Sequence, residues 1–393
     1  MIAFAKMHMT LCSLWDAEKI MNDEKRSKKD DAGAELETKY MTARERHFAG
    51  YLRTLPSFID WVHYMSFMVS ISIGPMCEYS TFHDFINMKE TCDATKMRPF
   101  SNWFTAWKRF IEVWLCAALF MILAEKFDWW YLASSEFLND PLWYKLYYLL
   151  MSMQVMMWQL FTGFATQEAN MIACGMGYKA ATKTEPEEFN HARMVKIVDF
   201  ELMTNPVKAI SNWNISVHHW LKYYWMLRWM DRSQPRGKIQ LGPFMLTFIV
   251  SPLWHGFYFG YFAFFTGLGL MDFTWKEFGR TKLAHMLDAK LGPLSFACNL
   301  MLSHLAIAYF GMCHCLQLAS TTFAIWSAFY YVGHIACISV IIFAKLLPKQ
   351  GREKVAAQTD GNVRAQFTGN EQSGPTTADP TANAAAKDSK KTQ

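Results

Sequence analysis

Residues 239–271 contain no Lys, Arg, Asp or Glu, and a single histidine, His255, stands near their middle. Histidine is the side chain whose unperturbed pKa suits proton transfer near neutrality. An apolar stretch of more than about 18 residues reads as membrane-embedded. Inside lipid an ionisable group is costly and faces the bundle interior or a cavity, which makes His255 a candidate functional residue. The alternative is a neutral histidine hydrogen-bonded to a neighbouring helix. Trp254-His255-Gly256 followed by Gly260-Tyr261 sets two glycines four apart, the spacing that lets another helix approach closely. About forty residues upstream runs Asn212-Trp213-Asn214-Ile215-Ser216-Val217-His218-His219-Trp220-Leu221. Asn214 offers an amide donor with no charge to desolvate; its structural alternative is a helix N-cap after Trp213. His218 follows one turn later on the same helix face and is read as a packing or supporting residue, while His219 points elsewhere.

Two further groupings carry less. Cys313-His314-Cys315 has metal-ligating residue types, but no second ligand pair stands at zinc spacing, so no metal is expected. Ser251 lies four residues before His255, yet no third member completes a nucleophile triad. Several of the nine cysteines sit in apolar runs, where they act as small hydrophobes.

The elements that must position these residues are helices in a membrane. Of the 393 residues 52% are hydrophobic, with 31 Phe, 26 Met, 16 Trp and 16 Tyr. The reading is an all-α, polytopic integral membrane protein with a buried reaction tunnel. A modest net charge of +5 without a basic, aromatic-interleaved surface argues against nucleic acid. Residues 1–55 form a polar, charged segment in which no cleavable signal peptide is read. The core is expected over 56–347, with a first apolar segment at 56–76 broken at Gly74-Pro75. Spans follow at 103–124 and 141–166, a mixed interfacial segment at 167–212, and a helix over 213–230 with Trp and Tyr belts. The His255 segment, an amphipathic stretch at 272–290, and spans at about 293–312 and 321–345 complete it.

Residues 348–393, rich in Ala, Thr, Gln, Gly and Lys, cannot bury enough surface to order themselves. Lys390 and Lys391 stand four and three residues from the end, as in dilysine retrieval signals read from the cytosol. That places the tail in the cytosol and the protein in the endoplasmic reticulum membrane. Two spans back, Lys276, Arg280, Lys282 and Lys290 would then also be cytosolic, in agreement with their charge. The equally basic turn holding Arg228, Arg232, Arg236 and Lys238 fits that scheme only if the His255 segment is bent or re-entrant, or if the turn is buried in protein.

The paired blocks Asn212–Leu221 and Pro252-Leu253-Trp254-His255-Gly256-Phe257-Tyr258-Phe259-Gly260-Tyr261 resemble the signature of the membrane-bound O-acyltransferase family, and most closely its lysophospholipid acyltransferase branch. Pro56-Ser57, Gly74-Pro75 with Tyr79 and Asp84-Phe85, and Ala173-Cys174-Gly175-Met176-Gly177-Tyr178 sit where that branch has short motifs. The resemblance covers nearly all of residues 1–347, and the chain is N-terminally short against it, since members carry further apolar spans ahead of Met1. It implies transfer of a fatty acyl group from acyl-CoA to a lysophospholipid hydroxyl, with His255 as general base and Asn214 as its polar partner. Trp213, Trp254 and His218 would line the substrates, and Arg236 and Lys238, with Arg232, would meet the phosphates of coenzyme A. Acyl-CoA is a co-substrate, and no cofactor is expected. The rival branch esterifies sterols or diacylglycerol, but its aromatic-Asp-Trp-Trp-Asn block is absent. A protein acyltransferase, an inactive scaffold and a transporter are further alternatives; a transporter would show inverted repeats, and none is found.

Overall fold

The computed structural model describes residues 2–27, 52, 55–67, 74–87, 99–177, 193–230 and 240–349. The chain divides into Met1–Pro348 and Lys349–Gln393, and every helix discussed below belongs to the first unit. Arg232, Arg236, Lys238 and the tail lysines lie outside the described residues.

The chain opens with α1 (Ile2–Ser27), then short helices α2 (Phe58–Met65) and α3 (Tyr79–Ile86). Ser57 caps α2 by accepting from Asp60 N, which satisfies one of the amides left open at a helix start. Lys6 is buried because its Nζ donates to Tyr64 O at 2.7 Å, with the Tyr64 ring 4.8 Å away. This contact ties α1 to α2.

The most extensively packed pair is α4 (Pro99–Leu123) with α5 (Leu142–Ala173). A 3-10 turn at Trp129–Ala133 and a helical turn at Ser135–Asn139 join them, each capped by the side chain before it. At 25 and 32 residues both helices are long enough to cross a bilayer of about 30 Å. Neither is uniformly apolar, because Arg109, Lys145 and Glu168 are buried within them. The outer face of α4 exposes Trp103, Phe104, Trp107, Ile111, Trp114 and Leu115, a stripe at helical spacing suited to lipid.

Short helices α6 (Ile197–Glu201) and α7 (Pro206–Asn212) follow. The helix expected over residues 213–230 begins only at Ile215: α8 (Ile215–Trp220) passes into a π turn at Leu221–Met226 and ends at Leu227–Trp229. Trp213 and Asn214 stand outside it.

The charge-free segment is not one span. α9 (Leu241–Leu253) and α10 (Phe259–Gly279) meet at a turn over residues 254–258. Phe248 seats against Gly269, Phe244 lies 6.4 Å from Phe273, and Lys276 Nζ lies 4.7 Å from the Phe244 ring. Partners recede from the turn in step, so the helices are antiparallel. With 13 residues, α9 extends only about 20 Å, too short to cross. The segment is therefore bent, and the chain around Gln240 returns to the same end of the hairpin as Lys276. A bend was one of the two alternatives that the basic residues on either side of the segment left open.

α11 (Lys282–Leu291) leads into α12 (Pro293–Leu316), which among the described residues is the unbroken helix long and apolar enough to span. The last span, expected over 321–345, is instead two helices, α13 (Ala319–Ala328) and α14 (Val332–Leu346), bent by 71°. Tyr330 and Tyr331 both take φ of 52° at the break, a conformation that ends a right-handed helix. The main core gathers Met153, Phe161 and Phe164 of α5 around Tyr309, Phe310 and Cys313 of α12.

Gly260 is where α10 meets the end of α12. A Cβ there would overlap the Cys313 carbonyl and the Gln317 backbone, whereas one at Gly242 would meet nothing within 4 Å. Gly260→Ala should therefore destabilise by about 1–3 kcal/mol and Gly242→Ala should not. Thermal unfolding of the two variants in one detergent checks the contrast; equal midpoints would contradict this packing.

Candidate active site

A buried ion network sets the first of the two blocks in place. Glu168, 1% exposed, accepts from Arg109 Nη2 at 3.0 Å and from Met194 N at 3.0 Å, and pairs with Arg193 Nε at 3.3 Å. Arg109 also pairs with Glu112 and donates to Val195 O at 2.7 Å. Residues 193–196 are thereby held extended. They in turn hold the next segment, since Ile215 N donates to Met194 O at 2.8 Å and Lys196 N to Asn212 O at 3.1 Å. Trp213 anchors the turn between those bonds, with its ring 5.0–5.7 Å from those of Phe161, Phe164 and Phe200.

Asn214 sits at that turn with φ 42° and ψ 55°, in the left-handed region. Asparagine tolerates this conformation better than most residues. It occupies the N-cap position of α8, and its carbonyl accepts from His218 N at 2.9 Å, but its side chain makes no cap hydrogen bond. The simple capping role therefore does not account for the amide. Asn214 Oδ1 is buried with no partner, and so is His218 Nε2, which keeps its relation of one turn to Asn214.

Among the described residues twelve side chains have such partnerless buried atoms; four of them, Asn214, Ser216, His218 and Trp254, fall in these blocks, and Trp225 and Arg228 follow on the same helix. Buried polar atoms in native proteins are nearly always paired.

His255 stands at the apex of the α9–α10 hairpin. Pro252 O accepts from His255 N at 2.9 Å and Gly256 N at 3.2 Å, closing the turn. Gly256 has φ of 131°, which side-chain-bearing residues avoid. The spacing of Gly256 and Gly260 thus conceals two different roles, a turn for the first and helix packing for the second. His255 is exposed on one side and otherwise faced by rings: Trp254, Tyr261, Phe265 and His314, with centres 5.1–5.8 Å away. Ser251 Oγ donates to Thr247 O of its own helix at 2.7 Å, so it is not paired with His255.

The two blocks meet through their tryptophans. Trp220 of α8 packs on Trp254 at 5.0 Å and donates from Nε1 to His8 Nδ1 at 3.2 Å. No hydrogen bond joins the Asn214 oxygen to His255, and Trp220 stands six residues along from Asn214, about 9 Å of helix rise. Arg228 bonds Asp16 at 2.7 and 2.9 Å, pinning α1 across the far end of the same helix. Sequence reasoning passes over Arg109, Glu168 and His8, and weighs His314 only as part of a metal-ligating triplet. The rule that singles out His255, an ionisable group within an apolar run, applies equally to Arg109.

The sequence profile of the membrane-bound O-acyltransferase family matches residues 2–280, and the chain belongs to that family, whose members are membrane-embedded. Among its relatives, lysophospholipid acyltransferase 1 of Arabidopsis thaliana is 25% identical over 321 residues, covering 79% of this chain and 68% of the relative. Lysophospholipid acyltransferase 6 of Drosophila melanogaster is 23% identical over 83% of this chain and 46% of its own length. The lysophospholipid acyltransferase of Schizosaccharomyces pombe is 22% identical over 72% and 57%. The chain thus spans roughly half to two thirds of the length of these relatives.

The backbone and the amide of Asn214 are separable. Asn214→Ala forces a Cβ-bearing residue without local hydrogen bonding into the left-handed region, at about 1–2 kcal/mol, whereas Asn214→Gly removes the amide without that strain. The glycine variant should unfold at a higher temperature than the alanine variant; the reverse order would mean that the turn is not as described.

Proposed function

We propose that the protein transfers a fatty acyl group from acyl-CoA to the free hydroxyl of a lysophospholipid. His255 at the open apex of a membrane-buried hairpin, next to a block whose Asn214 oxygen lacks a partner, is the observation that carries this reading. The relatives' names point to the same acceptor.

An alcohol is a poor nucleophile at neutral pH. As its oxygen attacks the thioester carbon, His255 takes the hydroxyl proton, an assistance worth about 100- to 10,000-fold. The tetrahedral oxyanion then needs a donor, and a preorganised amide is worth up to about 4 kcal/mol. The Asn214 NH2 group would supply it, with Oδ1 left to accept from a substrate donor. The thiolate leaves with the proton His255 releases, so no acyl-enzyme forms. Trp213 acts by anchoring the turn, Trp254 by joining the two blocks, and His218 by supporting Asn214. Arg236 and Lys238, which precede the hairpin in sequence, would meet the phosphates of coenzyme A. An apolar tunnel would keep water from the thioester.

Full-length chain in microsomes, given labelled acyl-CoA and a panel of lysophospholipids, diacylglycerol and cholesterol, tests the reading. Label should enter lysophospholipids, and incorporation into diacylglycerol or cholesterol alone would overturn it in favour of the neutral-lipid branch. His255→Ala should abolish the signal with normal membrane insertion, and more than about a tenth remaining would contradict a general base. Asn214→Gly should lower kcat and kcat/KM together, leaving KM for acyl-CoA unchanged, while His218→Ala should fall less than about tenfold.

The location follows the tail: residence in the endoplasmic reticulum with a cytosolic C-terminus. Replacing Lys390 and Lys391 with Ser should let the protein escape that membrane with activity per molecule unchanged. Unaltered localisation on fractionation would show that those lysines are not the signal.

A further inference from the structure

The Cys313-His314-Cys315 triplet makes no metal-ligating group among the described residues, yet it delivers a second imidazole to the hairpin apex. The rings of His255 and His314 are 5.2 Å apart at 82°, edge to face. No carboxylate or carbonyl among the described residues bonds the His255 ring. A general base needs such a partner, because the bond made by one ring nitrogen decides which nitrogen offers its lone pair. Trp254 and Phe265 cannot serve as acceptors, and the Tyr261 hydroxyl accepts from Gln317 Nε2 at 2.8 Å without bonding His255. His314 brings the other imidazole to the same ring cluster. Imidazoles whose centres lie this close can form a nitrogen–nitrogen hydrogen bond of about 3 Å by rotating in place.

The surroundings hold His314 where such a bond needs it. Gly260 N donates to Gln317 O at 2.8 Å, locking the hairpin onto the end of α12 three residues beyond His314. Tyr261 and Phe264 flank the His314 ring at 4.9 and 5.4 Å. The close approach at Gly260 therefore fixes the two histidines relative to each other.

We propose that His314 is a positioning residue for His255, accepting the N–H of the base so that its other nitrogen faces the substrate hydroxyl. This rests on His255 being the general base. During the reaction the hydroxyl O–H bond breaks toward His255 as the oxygen–acyl bond forms. The imidazolium's second N–H stays bonded to neutral His314, which disperses the charge. The carbon–sulfur bond then breaks and the same proton passes to the thiolate. His314 gains and loses nothing.

The test compares His314→Phe, which keeps a ring in the aromatic cage, with His314→Gln, which keeps a hydrogen-bond acceptor, in the full chain with lysophospholipid and acyl-CoA. The Phe variant should lose about ten- to a hundredfold in kcat, less than removal of the base itself, with both KM values within about twofold. The Gln variant should recover most of the loss. Should the Phe variant fail to accumulate in membranes, His314→Asn against His314→Gln makes the same comparison, because only the longer amide reaches His255. A Phe variant that stays active beside an inactive His255→Ala would overturn the role of His314 alone. Gln no better than Phe, or a loss residing in KM, would reduce His314 to packing. An active His255→Ala would overturn the base assignment and the pairing with it.

Discussion

The arrangement around Asn214 depends on one carboxylate. Glu168 is an ionised group in the interior of a membrane-embedded bundle, and alone its burial would be prohibitive. Arg109 on the facing helix neutralises it, and the remaining lone pairs go to Met194 N and the Arg193 guanidinium. A buried pair earns little net stability over a well-packed apolar one, but removing one partner costs about 3–5 kcal/mol. The network therefore acts less as glue than as a device that fixes position. It permits one placement of residues 193–196, and those bonds permit one path for Asn212 to Ile215. A left-handed Asn214 is held by bonds on both sides of it, while its own side chain remains uncommitted.

The second block is positioned by a different kind of constraint. A histidine placed mid-way in a straight span would have its ring packed against neighbouring helices all round. Breaking the segment into an antiparallel hairpin puts His255 at a turn instead, where the backbone leaves one side open while both arms stay in apolar surroundings. The cost is a set of unpaired backbone groups at two helix ends. Pro252 O takes up two amides and Gln317 O a third. The Gln317 bond also ties the apex to α12, so stabilising the break and orienting the apex are the same interaction.

Much of this was legible in the sequence, and the omissions have a common cause. The helical class, the long elements at α4, α5 and α12, and His255 follow from hydropathy and residue type, while the pairing of the two blocks comes from the family resemblance. The hairpin was visible only as an inconsistency, two basic flanks that a simple span would separate, because Trp, His and Phe at a turn are as apolar as those in a helix. The kink at Tyr330 and Tyr331 left no mark either, as neither Gly nor Pro signals it. Glu168 and Arg109 are 59 residues apart, and no local pattern announces such a pairing. Asn214 shows the converse: its residue type indicated an N-cap, and it stands at that position, but only the coordinates reveal that its side chain does not cap.

The proximity of the blocks also bears on how the reaction is organised. Trp220 against Trp254 joins them, yet the Asn214 oxygen has no hydrogen bond to His255. A direct hydrogen bond between them would satisfy the Asn214 amide and tie up the lone pair of the base, leaving neither free for substrate. On the proposed reading separation keeps both available, and a thioester with an approaching hydroxyl would touch one with its carbonyl and the other with its proton. If His255 is the base, the ring shell around it would suit the charge that develops there, because aromatic faces favour a cation in apolar surroundings without fixing a counter-charge. A carboxylate in that position would hold the imidazolium more strongly but would itself need burial and a partner, as Glu168 does. Neutral neighbours would stabilise such a cation enough to form and leave it free to return its proton.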